Sequence, residues 1–284
     1  MFGNKTLERL EQMLEDALDG TFQESCYDES KLSRLESKWK QYLTTSCLVK
    51  DNLEKEKANV KGLVSDISHQ TKTPMTNIKM YAQLLEEGLK KGDDSQNQML
   101  IEEIINQTNR LEFLIQSLTK LSRLETNVVE VKPIYQGLAP LVQQAVSAIM
   151  ERAQKKQIEI KIASKLTQKA WYDLKWTTEA LVNILDNAVK YSPSKSVITI
   201  RICVYEMYAA ICVEDEGIGI QEAEIPKIFG RFYRSECVQQ EDGVGIGLHL
   251  AREIVSRQDG YIRVKSKEGE GSSFQIFLKI FQNC

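Results

Sequence analysis

Histidine is nearly missing from this chain: two residues, His69 and His249, among 284. The six cysteines (Cys26, Cys47, Cys203, Cys212, Cys237 and Cys284) are scattered and form no Cys-x-x-Cys pair. That leaves a zinc site poorly supported and favours a reduced compartment over a disulfide framework. Of five prolines, only Pro74 falls within the first 126 residues. No run of about 20 apolar residues occurs and no secretory leader is visible, so the chain as given does not cross a bilayer. It remains compatible with the cytoplasmic portion of a protein that does. Basic and acidic residues nearly balance, 37 against 40, with no basic arm, which gives nucleic-acid binding no electrostatic basis. What is present is an ordinary 42% of hydrophobic residues, enough for a real core.

Up to about residue 126 the apolar residues follow helical spacing. Leu7, Leu10, Leu14, Ala17 and Leu18 make a short amphipathic stretch. Leu32, Leu35, Trp39, Tyr42, Val49, Leu53, Val60, Leu63 and Ile67 then recur at alternating threes and fours, a seam interrupted at Ser46 and Glu56. It continues through Thr71, Pro74, Ile78, Tyr81 and Leu85, and Gly88 to Asp94 reads as a turn. A second helix carries Ile101, Ile104, Thr108, Leu111, Ile115 and Leu118, widened by Leu100, Ile105, Leu114 and Leu121. One partner helix cannot bury so wide a stripe, which predicts two hairpins pairing into a four-helix bundle and hence a homodimer.

Beyond residue 126 the periods alternate. Strands are expected at Val128–Lys132, Gln157–Ile162, Thr167–Tyr172, Val197–Tyr205, Ala209–Val213, Tyr261–Ser266 and Ser273–Ile280. Helices are expected over 137–156, over 174–191 behind an Asp173 cap, and around Arg252–Arg257. The fold class is therefore α+β: a helical hairpin, then a domain layering helices on a sheet. The boundaries fall at 1–54 for an upstream helical segment, 55–126 for the hairpin and 127–284 for the second domain.

Two groups of residues carry chemistry. In Ser68-His69-Gln70-Thr71-Lys72-Thr73-Pro74, His69 lies about 200° from the seam residue Ile67 and so faces solvent. Thr73 lies about 40° from it, one turn on. Pro74 removes the backbone donor that would serve the Gln70 carbonyl and predicts a bend there. A neutral imidazole is a nucleophile. Read alone, it is first of all a lone surface histidine on a helix. Later, Asn183 and Asn187 stand one turn apart with Lys190 and Tyr191 following. An amide oxygen suits Mg²⁺ and an ammonium suits phosphate, although the same pattern fits an ordinary helix face. Asp215 precedes Gly217-Ile218-Gly219, a carboxylate able to accept from an exocyclic amine or simply to cap a loop. Gly243-Val244-Gly245-Ile246-Gly247-Leu248 opens a helix and offers backbone N–H groups to an anion. It is neither a Rossmann fingerprint nor a Walker loop. Between the glycine clusters sits Phe229, Arg231, Phe232, Tyr233 and Arg234, followed by the polar stretch 235–242 that suits a lid.

In this order the four pieces resemble the catalytic ATP-binding domain of two-component sensor histidine kinases, related to the gyrase and heat-shock-chaperone ATPases. Ser68–Pro74 resembles that family's phospho-acceptor box. The resemblance covers residues 55–284 and is similar, more narrowly, to membrane sensor kinases of Gram-positive bacteria. It implies an α/β-sandwich ATP-binding domain, ATP and Mg²⁺ as ligands, a response regulator receiver domain as partner, and attachment to a membrane only through a segment absent from this chain. It implies that His69 takes the γ-phosphoryl group, that Asn187 ligates the metal with Asn183 in support, and that Lys190 and Arg234 touch phosphates. It implies further that Tyr191 packs on adenine, that Asp215 binds its amino group with Gly217 and Gly219 lining the base, and that Gly243, Gly245, Gly247 and Leu248 frame the triphosphate. Ser272 belongs to the last glycine box, and His249 is structural. The pattern departs at Gln70, where the family usually carries an acidic residue after the histidine. An amide oxygen can hold the imidazole tautomer but cannot take a proton. Thr73 is the residue that would position a water for phosphatase action on a partner.

Two other readings stay open on sequence. A chaperone-like or topoisomerase-like ATPase would hydrolyse ATP with a glutamate on the asparagine helix, yet Asn183 holds that position and Glu179 lies a turn earlier. A degenerate kinase would act as a dimeric scaffold or nucleotide sensor.

Overall fold

The computed structural model describes residues 8, 11–16, 31–91, 94–125, 130–235, 238 and 243–281. Leu7, Leu10, Ala17 and Leu18 of the expected first amphipathic stretch, the end of the chain and most of the stretch 235–242 lie outside them. The chain divides into two compact units, residues 1–69 and 70–284.

Helix α1 spans Lys31–Lys91, with Pro74 inside it. In its part before residue 70 the hydroxyls of Thr44, Thr45 and Ser68 donate to carbonyls four residues back. The seam residues Tyr42, Val49, Leu53 and Val60 are exposed along the single chain.

In the second unit α1 continues past Gly88, which is buried, to Lys91, so the turn expected from Gly88 does not begin there. Asn97 packs on this glycine: a Cβ there would meet Asn97 Oδ1 at 2.2 Å. Helix α2 (Asp94–Glu125) turns Leu100, Leu114, Leu121 and Leu124 inward and leaves Ile101, Ile105 and Ile115 exposed. Leu114, Leu121 and Leu124 belong to the same buried cluster as the C-terminal domain.

That domain begins with β1 (Ile134–Gly137), which starts six residues later than the strand expected at 128–132. Residues 130–133 are irregular and Val128 and Val129 lie outside the described residues. The pairing decides the shift: β1 lies antiparallel to β3 (Lys169–Tyr172) with Ile134 opposite Tyr172. Helix α3 (Leu138–Lys155), β2 (Glu159–Ile162), helix α4 (Leu174–Tyr191), the hairpin β4 (Val197–Val204) and β5 (Tyr208–Asp215), helix α5 (Gly247–Ser256), β6 (Tyr261–Lys267) and β7 (Gly271–Lys279) complete it. The main sheet has the order β2-β4-β5-β7-β6, with β2 parallel to β4 and the remaining neighbours antiparallel.

Side-chain alternation separates the faces of this sheet. Ile198, Ile200, Ile211, Val213, Phe274, Ile276 and Leu278 join the helices in one core, whereas Ala210, Cys212 and Phe277 form a small cluster on the other side. The pattern is that of three helices on one sheet face, as expected from the alternating periods. Helix α4 is central. Asp173 Oδ1 accepts from Trp176 N at 3.2 Å, the expected cap, and the helix stops before Pro193. Its positions Trp176, Ala180, Leu181, Ile184, Leu185 and Ala188 are buried at helical spacing. Burying each large member contributes about 1.5–3 kcal/mol. Buried Gln258, just after α5, accepts from Asp173 N at 2.6 Å and from Thr177 Oγ1 at 3.1 Å, tying the end of α5 to the start of α4.

Candidate functional site

Because α4 commits one stripe to the core, Asn183, Asp186, Asn187 and Lys190 fall on the opposite side, where they line a cavity of about 290 Å³. Asn183 Nδ2 donates to the Glu179 carbonyl at 2.9 Å, which turns its amide oxygen towards the glycine loop. A Cβ on Gly247 would sit 2.8 Å from that oxygen, so only glycine lets the start of α5 approach α4 this closely. Lys190 Nζ donates to Tyr191 Oη at 3.0 Å and lies 4.7 Å from that ring's centre. It also lies 3.0 Å from where a Gly243 Cβ would be, which puts a cation beside the loop's backbone.

Asp215 ends β5 at the cavity wall. Its Oδ1 accepts from Gly217 N at 2.8 Å and from Ser272 N at 3.2 Å. The second bond follows from register, since Asp215 stands opposite Ser272 across β5 and β7. Burial pushes the carboxyl above its ordinary value, while the two backbone N–H groups pull the other way. Ser272 is locked in turn by a 3.0 Å hydroxyl contact with Ser266.

The remaining wall comes from Gly219, Gly243, Gly245, Leu248, Tyr233 and Arg234. Arg234 Nη2 donates to the Val238 carbonyl at 2.7 Å, and Tyr233 Oη donates to Glu224 at 2.8 Å. Every residue expected at a nucleotide from sequence lines this one cavity except Gly217, which sits behind it and donates to Asp215. Sequence reasoning missed Ile218, Ile220, Ile228 and Phe274, the apolar wall, whose hydrophobicity reads simply as core. It also missed Asp186, which pairs with Arg152, and Phe113 of α2. Phe113 sits on a surface position of its helix, and no local pattern distinguishes it. Arg110, one turn earlier, donates to the Gly243 carbonyl at 3.5 Å, and Lys120 pairs with Glu179 at 2.7 Å.

The cavity suits a flat polar ring with an anionic tail: an apolar wall, a buried carboxyl with its second oxygen unused by these backbone bonds, and a glycine loop flanked by Lys190 and Arg234. For a divalent cation, Asn187 offers a hard amide oxygen. Among the described residues no cluster of three His, Cys, Asp or Glu side chains surrounds it. The donor set therefore fits an ion that is shared with ligand phosphates.

In the histidine box, His69 is exposed, as its helical position predicts. Gln70 is half-buried and Thr73 exposed, while Pro74 is buried.

Comparison with known proteins agrees with this arrangement. Residues 60–127 match the His Kinase A phospho-acceptor domain, and residues 172–282 match the family of histidine kinase-, DNA gyrase B- and HSP90-like ATPases. The sensor-like histidine kinase SenX3 of Mycobacterium bovis is 30% identical over 77% of this chain and 53% of its own length. Sensor histidine kinase WalK of Bacillus subtilis is 31% identical over 81% of this chain and 39% of its own length. The chain thus spans about half the length, or less, of these curated relatives. Among solved structures, the Acinetobacter baumannii histidine kinase AdeS has the same fold, with a TM-score of 0.61 and 21% identity over 75% of this chain and 98% of that one. The histidine kinase ThkA, solved in complex with the response regulator protein TrrA, gives a TM-score of 0.65 at 18% identity, covering 80% of this chain and 64% of that one.

Proposed function

We propose that this chain, which belongs to the two-component sensor histidine kinases, transfers the γ-phosphoryl group of ATP to His69. The observation that carries the reading is the convergence of Asn183, Asn187, Lys190, Asp215 and the glycine loop on one cavity, in a chain that also presents an exposed histidine in a phospho-acceptor domain. The unused oxygen of Asp215 accepts the adenine amino group while Gly217 and Ser272 hold its partner oxygen in place. Ile218, Ile220, Ile228 and Phe274 exclude water from the base. Lys190, Arg234 and the N–H groups of the glycine loop hold the phosphate tail. Asn187, supported by Asn183, would hold a magnesium ion, which supplies charge neutralisation on the phosphates.

At the acceptor, a ring nitrogen of His69 uses its lone pair to bond phosphorus as the bond from phosphorus to the ADP oxygen breaks. Gln70 keeps the imidazole in its reactive tautomer without taking its proton. Catalysis then rests on positioning and charge neutralisation, as phosphoryl transfer permits. The phosphoryl group passes on to an aspartate of a response regulator receiver domain, for which the complex formed by the related kinase ThkA is the precedent. Thr73 positions water for the reverse activity on that partner. The exposed Ile101, Ile105 and Ile115 of α2 are the face on which a second copy completes a four-helix bundle. In this reading residues 1–54 transmit the signal, 55–126 form the acceptor hairpin and 127–284 the ATP-binding domain. No helix among the described residues is long and apolar enough to cross a membrane, and the chain is taken as the cytoplasmic portion of a membrane sensor.

Incubation with γ-labelled ATP tests the reading. The intact chain should acquire acid-labile, base-stable label, and His69→Ala should acquire none while still binding nucleotide. Label on His69→Ala moves the acceptor elsewhere. Phosphate release without label favours an ATPase, and nucleotide binding with neither favours a degenerate scaffold.

A further inference from the structure

His249 lies on α5, two residues after Gly247, and both of its ring nitrogens are engaged. Nδ1 is 2.9 Å from the Phe229 carbonyl oxygen, and Arg231 Nε lies 3.1 Å from Nε2. A carbonyl only accepts and a guanidinium only donates. The ring is therefore neutral, with its proton on Nδ1 and a lone pair on Nε2. Both partners lie on the segment that leads into Tyr233 and Arg234 at the cavity. The same segment is pressed against the glycine loop: a Cβ on Gly245, whose φ is +75°, would meet the Tyr233 carbonyl oxygen at 2.7 Å and the Phe232 carbonyl carbon at 2.8 Å. Phe232 itself holds a left-handed φ of 58°, an uncommon state that surrounding contacts must maintain.

We infer that His249 is a positioning residue, a neutral imidazole clamp that holds segment 229–234 on α5, and that its protonation loosens the nucleotide pocket. The inference rests on the reading of that pocket as a nucleotide site. Protonation puts N–H on Nε2, so a donor faces the Arg231 donor and two cations stand at hydrogen-bond distance. Around the ring, the charged groups are Arg231 from the segment, Arg252 on its own helix, whose guanidinium lies 5.6 Å from the Phe229 ring centre, and Glu253 one turn further on. Among the described residues the ring's hydrogen-bond partners are the Phe229 carbonyl and the Arg231 guanidinium, both on the segment. The segment that supplies Tyr233 and Arg234 to the ligand is thus released as the medium turns acid.

The test measures ADP binding by calorimetry at about pH 8 and about pH 5.5, for the unaltered chain, His249→Gln and His249→Ala. Glutamine keeps an oxygen acceptor for Arg231 and cannot be protonated. Affinity of the unaltered chain should fall between the two pH values by about three- to tenfold more than that of His249→Gln, as expected for one lost hydrogen bond. Protonation of ADP itself affects both proteins equally. His249→Ala should bind weakly at both pH values, and if it fails to melt cooperatively the glutamine variant carries the comparison. Nitrogen NMR of the labelled imidazole at the higher pH should report the Nδ1–H tautomer. An Nε2–H tautomer, or equal pH ratios for the unaltered chain and His249→Gln, overturns the inference alone. Absence of ADP binding at the higher pH overturns the nucleotide reading and this inference with it.

Discussion

Replacing Asp215 by asparagine isolates base recognition from folding. The asparagine is isosteric, and its single carbonyl oxygen can take over the bonds from Gly217 and Ser272 at 2.8 and 3.2 Å. Its amide nitrogen then points at the ligand where the carboxylate oxygen stood, so a donor meets the adenine amino donor. A hydrogen bond to a charged group contributes about 1.5–3 kcal/mol. Affinity for ATP should therefore fall by about 10- to 150-fold. A purine with a carbonyl at the same position accepts from that amide, so the preference for ATP over ITP should shrink or reverse. Stability should move oppositely. Burial raises the Asp215 pKa above its ordinary 3.8. Whatever the protonated carboxyl contributes to the fold is present below that value and is lost as pH rises through the raised one. Relative to the unaltered protein, Asp215→Asn should gain stability from pH 3 to pH 7 (roughly the span of a shifted carboxyl). Calorimetric ATP and ITP binding together with urea unfolding at both pH values checks this. ATP affinity within twofold of the unaltered protein, with no change in the ATP to ITP ratio, refutes the assignment.

Leu185→Ala removes a fully buried side chain from the centre of α4 and should lower unfolding free energy by about 2–5 kcal/mol, measured by urea denaturation. Gln258→Ala leaves Asp173 N and Thr177 Oγ1 without their acceptor and should lower stability by about 1–3 kcal/mol despite lying outside the cavity. Gln70→Glu supplies a proton acceptor beside His69 and should speed autophosphorylation, towards the lower end of the about 10²–10⁴-fold range of general bases. No gain in initial rate shows that the base is not what limits this chain. Thr73→Ala should abolish dephosphorylation of a phosphorylated receiver domain while leaving label on His69 intact.

The local chemistry of the site was legible from residue types and order. Asparagines one turn apart, a carboxylate before a glycine pair and a glycine loop opening a helix each dictate their own conformation through caps, backbone freedom and helical period. The Asp173 cap, the strands at Val197–Val204 and Tyr261–Lys267 and the exposure of His69 follow from the same local rules. Three things did not. Strand β1 starts at Ile134 because β3 selects the register, and no residue near 128 carries that information. Helix α1 runs through Gly88, and the Asn97 side chain packed on that glycine comes from the next helix. Phe113 and the apolar wall reach the cavity, and His249 bridges Phe229 and Arg231, only because α2, α4, α5 and the connecting segment pack together. Periodicity says which face of an element is buried. It cannot say what buries it, because pairing energy depends on a partner distant in the chain, and there the tertiary structure alone decided.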